Sequence, residues 1–250
     1  KMEFSFANGA IGLHKKGQFN KIVNITNCLL QTETTNKILE IIRLWVNEIN
    51  IPVYDKKNHT GILRNLIIRH CSFDNSFMLN FVVAQNIDID TLIKRLLDAQ
   101  IHLKSVYLSI NNSPSDASFS ENKTLIWGDK FCTEKIKDVQ YKIGAFSFFQ
   151  VNTSLIENMY DIAKNWLNSG DILIDLYCGV GGFGIFLSND FKKVIGIDNN
   201  SEAIHIANIN SKDNNALNCE FYTGRVEDIF NSGLVSFDAN VNMVIDPPRS

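Results

Sequence analysis

No apolar run in this chain approaches the roughly 20 residues that a membrane helix needs. The opening residues, KMEFSFANG, do not read as a signal peptide. Both absences point to a cytoplasmic protein with no membrane partner. Cysteine is sparse: Cys28, Cys71, Cys132, Cys178 and Cys219 are scattered, odd in number and never in a C-x-x-C pair. That spacing argues against a disulfide framework and predicts reduced thiols. There is no internal repeat, and a net charge of −3 calls by itself for no anionic partner.

The 250 residues suffice for one large or two modest domains. Charge divides them unevenly. Residues 1–150 carry 18 Lys+Arg against 14 Asp+Glu, a net of +4, whereas residues 151–250 carry 6 against 13, a net of −7. A polyanion-facing front half and a cofactor-binding back half would divide in this way. Chance variation between two solvated surfaces would do the same, and charge alone does not separate the two readings.

Periodicity predicts strands at Met2–Phe6, Ala10–His14 and Lys21–Ile25, with turns at Asn8-Gly9 and Gly17. From about Thr32 to Glu48 the period becomes helical, with Ile38, Ile41, Ile42, Trp45 and Ile49 on one face and N-caps near Thr34 and Thr35. A strand over His59–His70 pairs with one over Phe77–Val83, and Arg64, Arg69, Lys56 and Lys57 there form the densest basic cluster. A helix at Ile89–Leu97 and strands at Val106–Ile110, Thr124–Trp127 and Val139–Ile143 complete an antiparallel α+β region, interrupted by the polar loop Asn111–Asn122. A helix then opens at Asn152. Its Leu155, Met159, Ile162 and Trp166 should pack on a sheet, and Ser154 with Glu157 has capping-box spacing.

The stretch Asp171–Asp198 organises the remainder of the chain. An apolar strand (Ile172–Leu176), a turn containing Gly179, Gly181, Gly182 and Gly184, a short helix and a second strand (Val194–Ile197) ending on Asp198 make a βαβ unit. Such a unit binds nucleotide-like ligands at the carboxyl ends of its strands. Gly179, Gly181 and Gly184 satisfy G-x-G-x-x-G, so a nicotinamide or flavin cofactor is one reading. Asp175 opposes it, because a carboxylate there would face a pyrophosphate unfavourably. The same carboxylate suits the ammonium of a methionine moiety, and Asp198 can hydrogen-bond ribose hydroxyls in either case. The loop leans to S-adenosylmethionine. Gly184 is read as a helix–strand packing residue. A helix at Ser201–Ser211, a strand at Cys219–Thr223 and a buried strand at Val241–Ile245 come next, the last running into Asp246-Pro247-Pro248-Arg249. That acid-and-proline shelf lies at the same sheet end as the glycine loop, beside the reactive end of a cofactor.

These pieces together resemble a known family. KMEFSF, GLHKKGQF, VNITNCLLQ, GILRNLIIR, SFFQVN, DLYCGVGGFG and DPPR occur in the order found in the RNA (uracil-5-)-methyltransferases of the TrmA/RumA type, and SFFQVN with DLYCGVGGFG is similar to the bacterial 23S ribosomal RNA members. The resemblance implies an α/β fold: the N-terminal half, the first four strands, of a Rossmann-like S-adenosylmethionine-dependent methyltransferase domain over 148–250, preceded by a central α+β RNA-contacting domain over 1–147. It implies cofactor contacts from Gln150, Tyr177, Asp198 and Asp246, to which the residue reading adds Asp175 and Gly179. Cys28 matches a fourth iron–sulfur ligand whose three companions would precede Lys1. RNA is the implied partner, ribosomal ahead of transfer RNA, and the complete protein is implied to be a monomer.

Uracil C5 is too weak a nucleophile to take a methyl group unaided. A thiolate adding at C6 activates it, and a base then removes the C5 proton. The resemblance places that nucleophilic Cys and the basic Glu beyond Ser250, so the chain is expected to be clipped at both ends and inactive alone, with Cys178 a packing residue. The alternatives are an NAD(P)- or FAD-dependent oxidoreductase, supported only by the glycine spacing, and a non-catalytic RNA-binding module. Arg64, Arg69, Lys56 and Lys57 are candidates to grip RNA phosphates, and Phe148 is weighed as a base platform but preferred as a core aromatic.

Overall fold

The computed structural model describes all residues except 8, 115–117, 121, 168, 234–239 and 248–250, together with the side chains of Phe19, Asn20, Thr153 and Ser154. Asn8 of the first turn and Pro248-Arg249 of the shelf therefore lie outside the described residues, as does the Ser154 half of the capping box. The chain forms two compact units, Lys1–Cys132 and Thr133–Ser250.

The first unit is built from β1 (Met2–Ala7), β2 (Ala10–Lys15), β3 (Gln18–Asn24), α1 (Glu33–Ile49), β4 (Leu63–Cys71), β5 (Ser76–Val83), α2 (Asp90–Asp98), β6 (Leu103–Ile110) and β7 (Lys123–Gly128). Its seven strands lie in the order β3-β2-β1-β4-β5-β6-β7. All neighbours are antiparallel except β5 and β6, which are parallel because α2 carries the chain back between them. Period-two alternation sends Phe4, Leu66, Ile68, Leu79, Phe81 and Leu108 to one face. There they meet Ile38, Ile42 and Trp45 of α1 and Leu92 and Leu96 of α2. The indole N–H of Trp45 donates to Thr91 Oγ1 (2.9 Å), so the largest buried side chain of this core also satisfies its polar atom.

Several local expectations change. The cap of α1 is Thr32, not Thr34 or Thr35. Its hydroxyl oxygen accepts the Thr35 N–H, and Asn50 closes the helix in the left-handed region. The strand expected over His59–His70 begins only at Leu63, since Asp55–Thr60 closes a turn before it. Most directly, Cys71 and Cys132 form a disulfide, with Cα atoms 6.5 Å apart, against the expectation of five free thiols. The two are 61 residues apart, and only the path from the end of β4 back to residue 132 brings them together. Cys28, Cys178 and Cys219 are free and buried.

The second unit contains β8 (Cys132–Ile136), β9 (Val139–Ile143), α3 (Thr153–Trp166), β10 (Gly170–Leu176), α4 (Gly182–Leu187), a single 3₁₀ turn, β11 (Phe191–Asp198), α5 (Ser201–Asp213), β12 (Cys219–Thr223), α6 (Val226–Asn231) and β13 (Val241–Ile245). Four parallel strands lie in the order β12-β11-β10-β13. The first strand in sequence thus sits between the second and the fourth, which makes the gap beyond β10 and β13 a topological switch point. The division expected at 147/148 and the compact units differ by the β8–β9 hairpin. Gln140 N–H donates to Asn214 Oδ1 (2.9 Å) and Lys142 N–H to Asn210 Oδ1 (2.8 Å), joining β9 to α5 of the cofactor sheet.

The apolar stripe read on α3 is exposed: Leu155, Met159, Ile162 and Trp166 face outward, and Ile156 and Tyr160 are the buried pair. β13, expected to be buried, is only partly so and forms an edge of the four-stranded sheet. The Trp45→Ala variant should lower the stability of the first unit by about 3–5 kcal/mol, read as a shift in its urea unfolding midpoint, because it opens a cavity and leaves Thr91 without its donor.

Candidate cofactor site

The glycine turn is held by bonds from three directions. Asp175, at the carboxyl end of β10, accepts the Gly184 N–H through Oδ2 (2.8 Å). Asp198, ending β11, accepts the Gly179 N–H through Oδ2 (2.9 Å) and the Asn200 N–H through Oδ1 (2.9 Å). From behind, the fully buried Asn210 donates to the carbonyls of Val180 (3.0 Å) and Lys142 (3.1 Å), and the Tyr141 hydroxyl donates to Gly182 O (2.8 Å). The turn itself needs left-handed backbone. Gly181 has φ of 87°, and a Cβ there would also stand 2.7 Å from Ile185 Cδ1. Tyr177 adopts φ of 61° without being glycine, a strained conformation of the sort that collects at ligand-binding loops.

Above the turn is a cavity lined by Phe148, Gln150, Tyr160, Asp175, Tyr177, Gly179, Gly182 and Asp246, with Cys178 in its wall. It lies at the switch point, since Leu176 pairs with Ile245 and the next residues of both strands enter the cavity. Gln150 Nε2 donates to Asp246 Oδ2 (2.9 Å), bridging the segment before α3 to the end of β13. Of the residues chosen from sequence, Gln150, Tyr177, Asp175, Gly179 and Asp246 therefore converge. Asp198 is not in this lining but is tied to it through Gly179. Gly184 is a packing residue as expected: a Cβ there would meet Val194 Cγ1 at 3.1 Å and Asp175 Oδ2 at 3.2 Å. Phe148, preferred as a core aromatic, is instead exposed at the cavity.

Three carboxyl groups, of Asp175, Asp198 and Asp246, act on one another here. Asp175 is only 1% exposed. Burial raises its carboxyl to about 7; the Gly184 N–H opposes this, while the carboxylates of Asp246 and Asp198 add to it. A pyrophosphate would meet the same negative field and be repelled, whereas an ammonium or sulfonium would relieve it. Burial likewise pushes the Cys178 thiol well above the ordinary range, with Asp175 and Asp198 adding to it, so this sulfur is suited to packing and not to nucleophilic attack. Burial pushes the Cys219 thiol up to about 12.

Cys28 does not extend this site. It is buried, with its backbone N–H donated to Asn36 Oδ1 (2.9 Å), and among the described residues no group of three or more potential ligands is placed to hold a metal. The residues present do not by themselves form an iron–sulfur site. Arg64 and Arg69 are also displaced from their expected role, being buried in β4. The Arg64 guanidinium lies 4.4 Å over the Tyr54 ring, and its Nη1 donates to Asn111 O (2.7 Å) and Ser113 O (2.8 Å). Lys56 and Lys57 are exposed. Sequence reasoning missed Tyr160, Tyr141 and Asn210; only Asn210, a polar residue on the inner face of a helix next to the glycine turn, left a signal that could have been followed.

Comparison with known proteins places the unit in context. A family model described as tRNA (Uracil-5-)-methyltransferase matches residues 74–232. The chain is 32% identical over 247 residues to an uncharacterized RNA methyltransferase of Oceanobacillus iheyensis, covering 96% of the chain and 53% of the relative. It is 30% identical over 253 residues to the tRNA (uracil(54)-C(5))-methyltransferase of Pyrococcus furiosus, covering 100% of the chain and 57% of that protein. The crystal structure of the Pyrococcus abyssi tRNA (uracil-54, C5)-methyltransferase in complex with S-adenosyl-L-homocysteine superposes with a TM-score of 0.81 at 30% identity, over 99% of the chain and 59% of that structure. The fold is thus that of an α/β methyltransferase. The chain spans about half the length of the curated relatives it matches.

Because the carboxyl of Asp175 is raised from 3.8 to about 7, the folded state binds more protons than the unfolded one between those values. Stability should therefore fall as pH rises from about 4 to 7 and level off above. The Asp175→Asn variant, which retains an oxygen for Gly184, should lose this component of the slope when urea midpoints are compared across that range.

Proposed function

The chain belongs to the tRNA (uracil-5-)-methyltransferase family, and we propose that it supplies the methyl-donor site and part of the RNA-binding surface of an enzyme that methylates C5 of uracil in RNA. The observation that carries this reading is the Gln150–Asp246 hydrogen bond closing one side of a cavity whose base is the buried Asp175. S-adenosylmethionine, when bound, supplies a methyl group made electrophilic by its sulfonium. Asp175 and Asp246 balance the cationic methionine end, Asp198 takes the ribose hydroxyls, and Tyr177 with Gly179 shapes the wall. An oxidoreductase reading has only the glycine spacing in its favour, and the acidic surroundings of the cavity oppose a dinucleotide pyrophosphate.

The reaction calls for a thiolate at uracil C6 and a base for the C5 proton. The three free cysteines are all buried, and two of their thiols are held above the ordinary range, so none of them fits that role. We assign the nucleophilic role to none of these three thiols. The target uridine must leave its stack to reach the cavity. Phe148, exposed at its rim, is placed to stack on a base there, and Gln150 and Asp246 have polar atoms to meet its edge. In the first unit, Lys56, Lys57 and His14 border a second cavity, lined also by Tyr54 and Arg64, that suits the RNA backbone. Arg64 there stiffens the cavity wall and is not itself the grip.

Two lines of support bear on which RNA is methylated. SFFQVN and DLYCGVGGFG favour ribosomal RNA, whereas the Pyrococcus furiosus and Pyrococcus abyssi relatives are named for uracil-54 of tRNA. Calorimetric titration of this chain should give binding of S-adenosylhomocysteine and none of NADH, with Asp198→Ala weakening the former about tenfold or more by loss of the ribose contact. Binding of NADH in place of S-adenosylhomocysteine would overturn the proposal. With the complete protein, radiolabelled methyl transfer to tRNA and ribosomal RNA transcripts decides the substrate.

A further inference from the structure

The hydroxyl of Tyr160 has no hydrogen-bond partner among the described residues, although the side chain is only 3% exposed and lines the cofactor cavity. The oxygen is not among the fully buried side-chain atoms left without a bond, so it opens on the cavity and is available to a ligand there. Its position is not accidental slack. The ring is wedged against Phe183 (centroids 4.3 Å) and Phe186 (5.1 Å), which prevents it from swinging out. The hydroxyl occupies the space that a side chain on Gly182 would need: a Cβ there would stand 2.3 Å from the Tyr160 oxygen. Gly182 is therefore glycine for a reason that the G-x-G-x-x-G spacing does not include.

The carboxyl groups that share the cavity with this hydroxyl and act on it electrostatically are those of Asp175 and Asp246, with the Gln150 amide already bonded to the latter. Burial, with the fields of those two carboxylates, holds the phenol well above its ordinary ionisation range, so it remains a neutral O–H. A neutral oxygen with free lone pairs beside two carboxylates is suited to a group that bears several N–H donors and a positive charge. The nucleoside end of the donor offers no such group. Its amino-acid end does.

We propose that Tyr160 is a positioning residue for the methyl donor, its hydroxyl oxygen accepting an N–H from the donor's α-ammonium while Asp175 and Asp246 balance the charge. This rests on reading the cavity as an S-adenosylmethionine site and adds a residue that the motifs of the family resemblance do not contain. By fixing the amino-acid end, the hydroxyl would set how far along the cavity the sulfonium, and with it the methyl group, projects toward the base.

The test separates this role from packing. Tyr160→Phe removes one oxygen that opens on the cavity and keeps the ring between Phe183 and Phe186, so its melting temperature should match that of the parent chain. Titrations compare S-adenosylhomocysteine with 5′-methylthioadenosine, which keeps the nucleoside and sulfur but lacks the amino-acid end. Expected is a loss of about tenfold in affinity for S-adenosylhomocysteine with 5′-methylthioadenosine unchanged, the worth of one hydrogen bond to a charged group. Equal losses for both ligands, or no loss for either, would overturn the assignment while leaving the cofactor reading standing. Failure of the parent chain to bind either ligand would overturn both.

Discussion

A single carboxylate removed from water, Asp175 with the Gly184 N–H on its Oδ2, is the constraint on which the second unit depends. It sits at the end of β10, where the sheet order reverses, and the bond spans the base of the glycine turn. Around the same turn Gly179 meets Asp198, Tyr177 adopts left-handed backbone, and Gln150 and Asp246 line the cavity together. Burial raises the cost of charging the Asp175 carboxyl, and a positively charged ligand would lower that cost.

The surrounding scaffold makes that arrangement rigid. Asn210 and Tyr141 clamp the turn through hydrogen bonds to the carbonyls of Val180 and Gly182, and the Lys142 N–H of β9 donates to Asn210 Oδ1 behind them. Tyr160 closes the remaining side, held by aromatic neighbours on α4. The walls are thus supported from behind by groups that do not face the cavity, which is how a binding loop built from glycines retains a defined shape. The first unit obeys a different logic, a seven-stranded sheet with two helices over one apolar face, in which Arg64 and Arg69 are buried while Lys56 and Lys57 are exposed.

Much of the second unit was legible because it is local. The strands on either side of the glycine turn, the turn itself and the acids at the strand ends arise from apolar runs, glycine spacing and residue chemistry within a few positions of one another. The features that escaped the sequence depend on distant partners. The stripe Leu155, Met159, Ile162 and Trp166 has good helical period, yet the inward face of α3 is that of Ile156 and Tyr160. Tyrosine carries a polar tip, and no local pattern says that its ring would find Phe183 and Phe186. Arg64 and Arg69 read as solvent-facing cations because a strand's two faces look alike until something covers them. In the structure Arg64 is covered by Tyr54 and by the carbonyls of Asn111 and Ser113. Cys71 and Cys132 meet across 61 residues, a separation beyond any spacing rule.

By itself, then, the sequence determined the elements and the chemical kind of site, since backbone conformation at glycines, period and the charge of Asp175, Asp198 and Asp246 are properties of short segments. The motif order carried the family, which the comparisons bear out. Only the tertiary structure decided which of these groups share a cavity, which basic residues reach solvent, which cysteines pair and which hydroxyl is left without a partner. The reason is physical. A contact between residues far apart in the chain is selected by how whole faces pack, and a burial cost such as that of Asp175 exists only once the rest of the fold has excluded water from it.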